Sequence, residues 1–192
     1  MNLSSWGKVK EIINPVSYIV KNLSDEIPKL DQCIPRGNGR SYGDSSLYKS
    51  IISYKPLDPI INFLPNNIIE VSSDILFSNL LEIIIPRGLL LPVMPGTSFV
   101  TIGGAIASDI HGKNHHISGS ISSFVEEIKL LTGNGEIYDI TPKKHSELFY
   151  ATLGGMGLTG LIISAKIKLL SISSPLIHQE VRRIYSLDES IN

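Results

Sequence analysis

The stretch "PRGNGRSYGDSS", residues 35–46, decides how the rest of the chain is interpreted. A tight turn needs one or two glycines, whereas this segment has three, which points to a backbone that approaches a ligand closely. Successive N–H groups in such a loop can converge on one anion. Arg36 and Arg40 add charge that suits phosphate oxygens, and Ser41 and Ser45 add hydroxyl donors. No Gly-Lys-Ser/Thr follows, so the sequence predicts a diphosphate-binding loop outside the P-loop class.

A second tract, "PGTSFVTIGGAIASDIHGK", spans residues 95–113 and consists mainly of small side chains. Residues of this size let a flat, wide ligand lie close to the backbone. Together the two tracts indicate a dinucleotide with one planar end.

Gly155, Gly157 and Gly160 match the spacing of the Rossmann dinucleotide fingerprint, but their context argues against it. That fingerprint follows a strand and opens a helix. Here the segment "LIISAKIKLL", residues 161–170, alternates as a strand does. The pattern therefore favours a glycine turn into a strand over an NAD site.

Three histidines in "DIHGKNHH" raise the possibility of a metal site. His111 and His115 have a spacing that would suit zinc ligands on a helix. Gly112 and Asn114 disfavour a helix, and acidic or sulfur ligands are sparse. The sequence predicts no metal site here.

Composition limits the class of protein. The chain has 192 residues, of which 42% are hydrophobic and 18% charged, with a net charge of -1. This suits one globular domain or two small ones, and it argues against a nucleic-acid-binding protein, which usually has a basic stripe. A single cysteine, Cys33, excludes an intrachain disulfide and favours a reducing, cytoplasmic location. The longest apolar run, residues 80–96, is broken by charges and prolines, which argues against a spanning helix and leaves peripheral contact with the inner membrane open.

Periodicity predicts strands and helices in irregular alternation, which favours an α+β fold. Leu76, Leu80 and Ile83 share one face of a predicted helix. Residues 15–30 are expected to form a short helix with a polar end, and residues 89–120 to be rich in loops. The remaining expectations are β-structure with proline turns over 50–67, a strand at 68–73, a hairpin over 124–142, and a helical turn, glycine loop and strand over 146–172.

Taken together, the motifs resemble the FAD-binding domain of the vanillyl-alcohol oxidase / p-cresol methylhydroxylase superfamily. The resemblance rests on four segments, and "GGAIASDIHGKNHH" points within the superfamily to its ribose-oxidase branch. The segments are "PRGNGRSYGDSSL", "PRGLLLPVMPGTSFVTIGGAIASDIHGKNHH", "LLTGNGEIYDITP" and "ELFYATLGGMGLTGLI".

The resemblance implies a two-part flavin domain over residues 1–172, divided near residue 65, with FAD between parts 1–65 and 66–172. Residues 173–192 would begin a truncated substrate domain. Some members attach FAD covalently through a histidine of the first loop; Arg40 falls there, so non-covalent FAD is expected. The residues implied to line the cofactor are Arg36, Gly37, Asn38, Gly39, Arg40, Ser41, Tyr42, Gly43, Asp44, Ser45, Ser46, Gly96, Thr101, Ile102, Gly103, Gly104, Ser108, Asp109, Ile110, His111 and Ile163.

The implied activity is oxidation of a sugar hydroxyl, the 2′-hydroxyl of a polyprenyl-phosphate ribose, with hydride transfer to the flavin N5. The product would pass to a partner reductase that leads to a cell-wall arabinose precursor. His111 is expected to orient the hydroxyl and Lys113 to pair with the substrate phosphate. Asp74 departs from the family, whose members tend to have glycine there.

Four alternatives stay open at this point. The chain could be an aldonolactone or other sugar oxidase of the same superfamily. It could be the flavin half of an oxidoreductase that a second chain, carrying the missing substrate domain, completes. It could also be a stand-alone FAD-binding module without activity of its own. Finally, it could be a truncated gene product or fragment that folds poorly.

Overall fold

The computed structural model describes residues 2–23 and 32–191. These residues form a small parallel sheet with an N-terminal hairpin, and a larger antiparallel sheet with helices packed on it. The predicted α+β class is confirmed. The larger sheet begins at Ile61, slightly before the expected division near residue 65. In the described part of the chain, no helix has the length and hydropathy needed to cross a bilayer.

The small sheet brings two strand ends to one edge. The N-terminal hairpin pairs β1 (Asn2–Ser4) with β2 (Glu11–Ile13). Next come β3 (Val16–Val20) and β4 (Ile34–Pro35), which flank β5 (Ser50–Tyr54) in parallel. Because parallel strands end at the same edge, the segments that leave β4 and β5 lie side by side, and such an edge is where ligands bind in open parallel sheets.

The helix expected over residues 15–30 is wrong for its first part, since Val16–Val20 is β3. Three of these five residues are the β-branched Val16, Ile19 and Val20, which favour extended backbone, and the strand pairs along its whole length with β5. The stretch 24–30 of the same prediction lies outside the described residues.

The larger sheet and its helices follow the small sheet in the chain. In chain order the elements are β6 (Ile61–Leu64), β7 (Ile68–Ser72), α1 (Phe77–Ile84), β8 (Leu89–Leu90), α2 (Ile102–Ala107), α3 (His115–Ser118), β9 (Val125–Leu131), β10 (Ile137–Ile140), α4 (Ser146–Thr152), β11 (Leu161–Lys168), β12 (Leu170–Ser171) and α5 (Leu187–Ile191). The sheet has the order β10-β9-β11-β7-β6, and every neighbouring pair in it is antiparallel. A short pair, β8 with β12, lies apart from it.

Most periodicity-based predictions for this part are confirmed: the β9–β10 hairpin, the strand β7, and the helix–glycine loop–strand order of α4 and β11. Two details differ. The buried face of α1 consists of Phe77, Leu80 and Ile84, so it is rotated from the predicted one. The tract expected to be loop-rich contains α2, whose first turn is capped by the Thr101 side chain accepting from the Gly104 N–H at 3.1 Å.

Two apolar clusters cover opposite faces of β11. On one face, side chains of α1, α2 and α4 form the main core with β7, β9 and β11. On the other face, Ile52 and Tyr54 of the small sheet pack with Leu161 and Ile163. Since β11 is covered on both faces, this second cluster is what fastens the small sheet to the large one.

We predict that Ile52→Ala destabilises the whole chain, because Ile52 is 1% exposed and sits in the cluster that joins the two sheets. Truncating a buried isoleucine lowers the free energy of unfolding by about 2–5 kcal/mol. Urea unfolding measures this directly. The matched control is Ile19→Ala in the adjacent strand, where the side chain is 52% exposed. Equal losses in both variants would contradict the assignment of this cluster.

Candidate cofactor site

The loop of residues 36–46 leaves the carboxyl end of β4 and is anchored on β5. The Arg36 N–H donates to the Ile52 carbonyl at 2.8 Å, and the Ser53 hydroxyl donates to the Arg36 carbonyl at 2.7 Å. All eleven loop residues predicted to contact the cofactor therefore emerge together at the edge of the parallel sheet.

The Arg36 guanidinium is used inside the protein. It donates to the Ser46 carbonyl at 3.1 Å, to the Ser46 hydroxyl at 3.3 Å and to the Ser4 carbonyl at 2.9 Å. Burial lowers the pKa of Arg36. The side chain closes the loop from its first residue to its last, so its predicted contact with a phosphate stays a prediction.

The N-terminal hairpin packs on this loop, a contact that the sequence analysis did not foresee. The Trp6 N–H donates to the Ser41 carbonyl at 2.9 Å, and the Ser5 hydroxyl donates to the Tyr42 carbonyl at 3.4 Å. The signal for it was Gly7, since a Cβ there would lie 2.6 Å from the Tyr42 carbonyl oxygen. The sequence therefore needed glycine where the two backbones cross.

Arg40, the residue expected to replace a flavin-linking histidine, lies between two aromatic rings. Its guanidinium carbon is 5.1 Å from the centre of the Trp6 ring and 5.6 Å from that of Phe99. These distances are within the range of cation–π attraction. The arrangement fixes Arg40 between the hairpin and the second small-residue tract.

The two tracts predicted to share a ligand do meet. A Cβ on Gly37 would overlap the Thr101 hydroxyl, so the loop backbone touches the first turn of α2. The Asn38 side-chain amide donates to the Phe99 carbonyl at 2.8 Å. Gly39 has φ +66°, which favours glycine, and a side chain there would overlap the Arg36 guanidinium.

Ile163 is joined to the same region through the turn that follows β7. The Ser73 N–H donates to the Ile163 carbonyl at 2.9 Å, and the Ser73 carbonyl accepts from the Gly103 N–H at 2.8 Å. Ile163 and Ile102 are both fully buried, so in this structure neither residue is exposed to a ligand, and their predicted contact with the cofactor stays a prediction. Gly96 and Ser108 are exposed, the first before α2 and the second at its end.

The predicted catalytic residues lie beyond the other end of α2. His111 and Lys113 are exposed on either side of the buried Gly112, where a Cβ would come within 2.7 Å of the Met94 carbonyl oxygen. His111 bridges to Ser120 across two extended segments. The two side chains are thus presented to solvent from one backbone segment.

Asp109 holds that segment in place. Its carboxylate accepts from the Ser120 hydroxyl at 2.9 Å and from the Ser122 N–H at 3.0 Å. The adjacent Ile110 packs against the main core, and its carbonyl accepts from the Ile121 N–H at 2.9 Å. Asp109 and Ile110 were predicted to line the cofactor, and the structure shows their side chains engaged within the protein.

The three histidines are neighbours but do not converge. The rings of His111 and His115 are 5.4 Å apart, those of His115 and His116 6.0 Å, and both pairs meet edge to face. Within residues 2–23 and 32–191, no three His, Cys, Asp or Glu side chains form a group that could hold a metal ion. The helix α3 begins only at His115, after Asn114.

The third glycine segment serves packing. Gly157 has φ +83°, and a Cβ there would contact the Pro35 ring at 3.3 Å, directly before the 36–46 loop. The Met156 N–H donates to the Ala107 carbonyl at 2.8 Å. The segment leads into the strand β11, as the sequence predicted. It contacts both Pro35, directly before the 36–46 loop, and Ala107, at the end of α2.

Several features leave room for an absent group. A Cβ on Gly43 or Gly96 would meet nothing within 4 Å, and neither residue has a positive φ, so the packing of the described residues does not require glycine at either position. Among the described residues, two buried side-chain atoms also have no hydrogen-bond partner, Arg40 Nε and Asp74 Oδ1. A dinucleotide that approaches the loop closely and brings donors and acceptors fits these observations.

Asp74 was noted in the sequence only as a departure from the family. It follows Ser73 and faces Tyr54 at the carboxyl end of β5. The pKa of Tyr54 is raised, mainly by burial of Tyr54 and to a smaller extent by the charge of Asp74. Burial raises the pKa of Asp74, and this effect outweighs the opposing effects of a backbone hydrogen bond and of Lys55. A carboxyl group is thus held in a partly desolvated position at the edge of the site.

Comparison with known proteins gives a family match. A model of an FAD-binding domain family matches residues 25–141. The decaprenylphosphoryl-beta-D-ribose oxidase of Mycolicibacterium smegmatis is 41% identical over 162 residues, which cover 82% of this chain and 35% of that protein. Cytokinin dehydrogenase 9 of Oryza sativa subsp. japonica is 30% identical over 140 residues, covering 70% of this chain and 27% of that protein. The chain thus spans about a third or less of the length of these curated relatives.

We predict that Asp74→Asn stabilises the ligand-free chain at neutral pH. The folded-state pKa of Asp74 is raised above the ordinary 3.8, so ionisation penalises the folded state more than the unfolded one. The penalty is absent below pH 3.8, where both states are protonated, and complete above the raised pKa. Thermal unfolding should therefore show a higher Tm for the variant at neutral pH and a difference that shrinks towards acidic pH. The control is Asp58→Asn on an exposed bend; a pH-independent difference for Asp74→Asn would argue against this origin.

Proposed function

This chain belongs to the family of FAD-binding domains, and we propose that it is the flavin-binding part of an oxidoreductase that oxidises a sugar hydroxyl. The substrate that we propose is a polyprenyl-phosphate ribose, oxidised at its 2′-hydroxyl. The observation that carries the proposal is the contact between the 36–46 loop and the first turn of α2, which joins the two small-residue tracts in one site.

FAD is the cofactor of this family, and the contact between the 36–46 loop and the first turn of α2 supports a site for it there. In the proposed arrangement, backbone N–H groups of residues 37–46 surround the diphosphate, and the first turn of α2 borders the dinucleotide. Ile163 supports this turn through the hydrogen bonds of Ser73. Gly43 and Gly96 leave the open space that a close approach requires. Arg40 cannot form the covalent link that a histidine forms, so FAD is held without a covalent bond.

Bound FAD supplies the two-electron oxidation by accepting a hydride, and the protein supplies binding and orientation. His111 is placed to hold the sugar hydroxyl by a hydrogen bond and to orient it. Lys113 carries the positive charge that pairs with the substrate phosphate. Asp109 fixes the backbone of this segment through Ser120 and Ser122, so it positions His111 without touching the substrate.

Residues 173–191 support the proposal that further protein completes the site. Their apolar side chains are exposed, with Leu176, Ile177 and Val181 each more than 80% accessible. Apolar surface on this scale is usually covered by a partner or another domain. We expect this surface to pack against a substrate-binding part, which is either joined to the flavin part or belongs to a second chain. We also expect the ketone product to pass to a partner reductase.

The test of the proposed function is the visible absorption spectrum of the purified chain, recorded before and after addition of FAD and after acid precipitation. We expect flavin bands that acid releases into the supernatant, because nothing in the site ties FAD covalently. Bands that stay in the pellet would refute the role given to Arg40. A chain that takes up no flavin at all would contradict the proposed function itself.

We also predict that Gly39→Val abolishes FAD binding. Gly39 has φ +66°, which a β-branched residue disfavours, and a side chain would displace the Arg36 guanidinium that closes the loop. Equilibrium titration with FAD measures the loss. Gly133→Val in the β9–β10 turn is the control, since a Cβ there meets nothing within 4 Å and φ is not positive. Unchanged affinity of the Gly39 variant would show that the loop is not the diphosphate site.

A further inference from the structure

Asp74 presents a carboxyl group at the cofactor site that the proposed chemistry does not use. One of its oxygens, Oδ1, is buried and has no hydrogen-bond partner. A buried acceptor without a donor destabilises the folded state, because its lost hydration is not replaced. Such an atom in a binding protein indicates a donor that arrives with the ligand.

Its position relative to α2 indicates which part of the ligand this is. Asp74 follows Ser73, whose carbonyl accepts from Gly103 in the first turn of α2, the turn that also touches Gly37 of the loop. His111 and Lys113 lie past the last turn of the same helix. With the diphosphate at the loop, as proposed, one half of a dinucleotide would extend towards His111 and the other towards Asp74.

The surroundings of Asp74 suit the adenosine half. It faces Tyr54 and Lys55, at the carboxyl end of the middle strand of the parallel sheet, next to the strand end from which the 36–46 loop departs. If His111 and Lys113 hold the substrate, as proposed, the flavin ring would lie at their end of the site. The donors that adenosine offers are the two ribose hydroxyls and the adenine amino group, and carboxylates commonly accept from ribose hydroxyls in dinucleotide sites.

We propose that Asp74 accepts hydrogen bonds from the adenosine half of FAD, and that it makes this site select FAD over FMN. The inference rests on the proposed function, because it assumes that FAD occupies the site. It concerns a residue at which this chain departs from the superfamily pattern.

The test compares the unaltered chain with Asp74→Asn, using Asp58→Asn as the matched control on an exposed bend. FAD and FMN are titrated by flavin fluorescence, and ADP by calorimetry as a probe of the adenosine half alone. We expect Asp74→Asn to weaken FAD and ADP by about tenfold, the size of one hydrogen bond to a charged group, and to leave FMN unchanged. Asp58→Asn should alter none of the three.

The outcomes separate the two proposals. If the unaltered chain binds no FAD, the proposed function fails and this inference falls with it. If the chain binds FAD but Asp74→Asn changes neither FAD nor ADP, only the role of Asp74 is overturned. Equal weakening of FAD and FMN would also overturn it, because it would show a general change in the site.

Loss of folding is distinguished by urea unfolding of each variant, since the uncharged side chain is expected to stabilise the ligand-free chain. An FAD analogue with hypoxanthine in place of adenine then identifies the donor. Weaker binding of the analogue by the unaltered chain assigns the adenine amino group, whereas equal binding assigns the ribose hydroxyls; either result is compatible with the carboxylate as acceptor.

Discussion

The loop of the candidate site depends on one half-buried cation, the guanidinium of Arg36. It binds the carbonyl of Ser4 in the N-terminal hairpin and both polar groups of Ser46 at the end of the loop. A glycine-rich loop has little conformational preference of its own, so the entropy lost on ordering it must be offset by such contacts. The hydrogen bonds of Arg36 join the two ends of the loop without using the backbone N–H groups of the residues between them. The charge that looked like a phosphate ligand in the sequence thus acts first as the support of the loop.

Much of the larger sheet could be predicted because its signals are local. Alternation in residues 161–170 and the Gly133–Gly135 turn each specify structure over a few residues, and β11 and the β9–β10 hairpin follow from them. Val16–Val20 was misassigned because its strand is defined by pairing with β5, some thirty residues away in the chain. Likewise, α2 contains two glycines that disfavour a helix, yet it forms because Thr101 caps its first turn and Ala105 and Ile106 are buried in the core.

The site itself was predicted as two tracts, and its supporting contacts were not. Residue size alone indicates that the glycines at 37–43 and the small residues at 101–108 mark backbone that a ligand can approach closely. The supporting contacts depend on which distant segments become neighbours, and the sequence alone does not show this. Examples are the hydrogen bonds of Asp109 to Ser120 and Ser122 and the packing of Trp6 on Arg40. Asp74 illustrates the same limit: the sequence identified an unusual residue, and only the hydrogen bond between its neighbour Ser73 and Gly103 of α2 shows that it lies near the candidate site.

The stacking of Trp6 on Arg40 has a spectroscopic consequence. Trp6 is the sole tryptophan of the chain, so its indole dominates the intrinsic fluorescence. That indole is 59% exposed and lies against the guanidinium between the hairpin and Phe99. Any molecule that settles on the 36–46 loop and shifts Arg40 changes the surroundings of this ring. The protein therefore contains a natural optical reporter of loop occupancy, which needs no label and responds even to ligands that are themselves colourless.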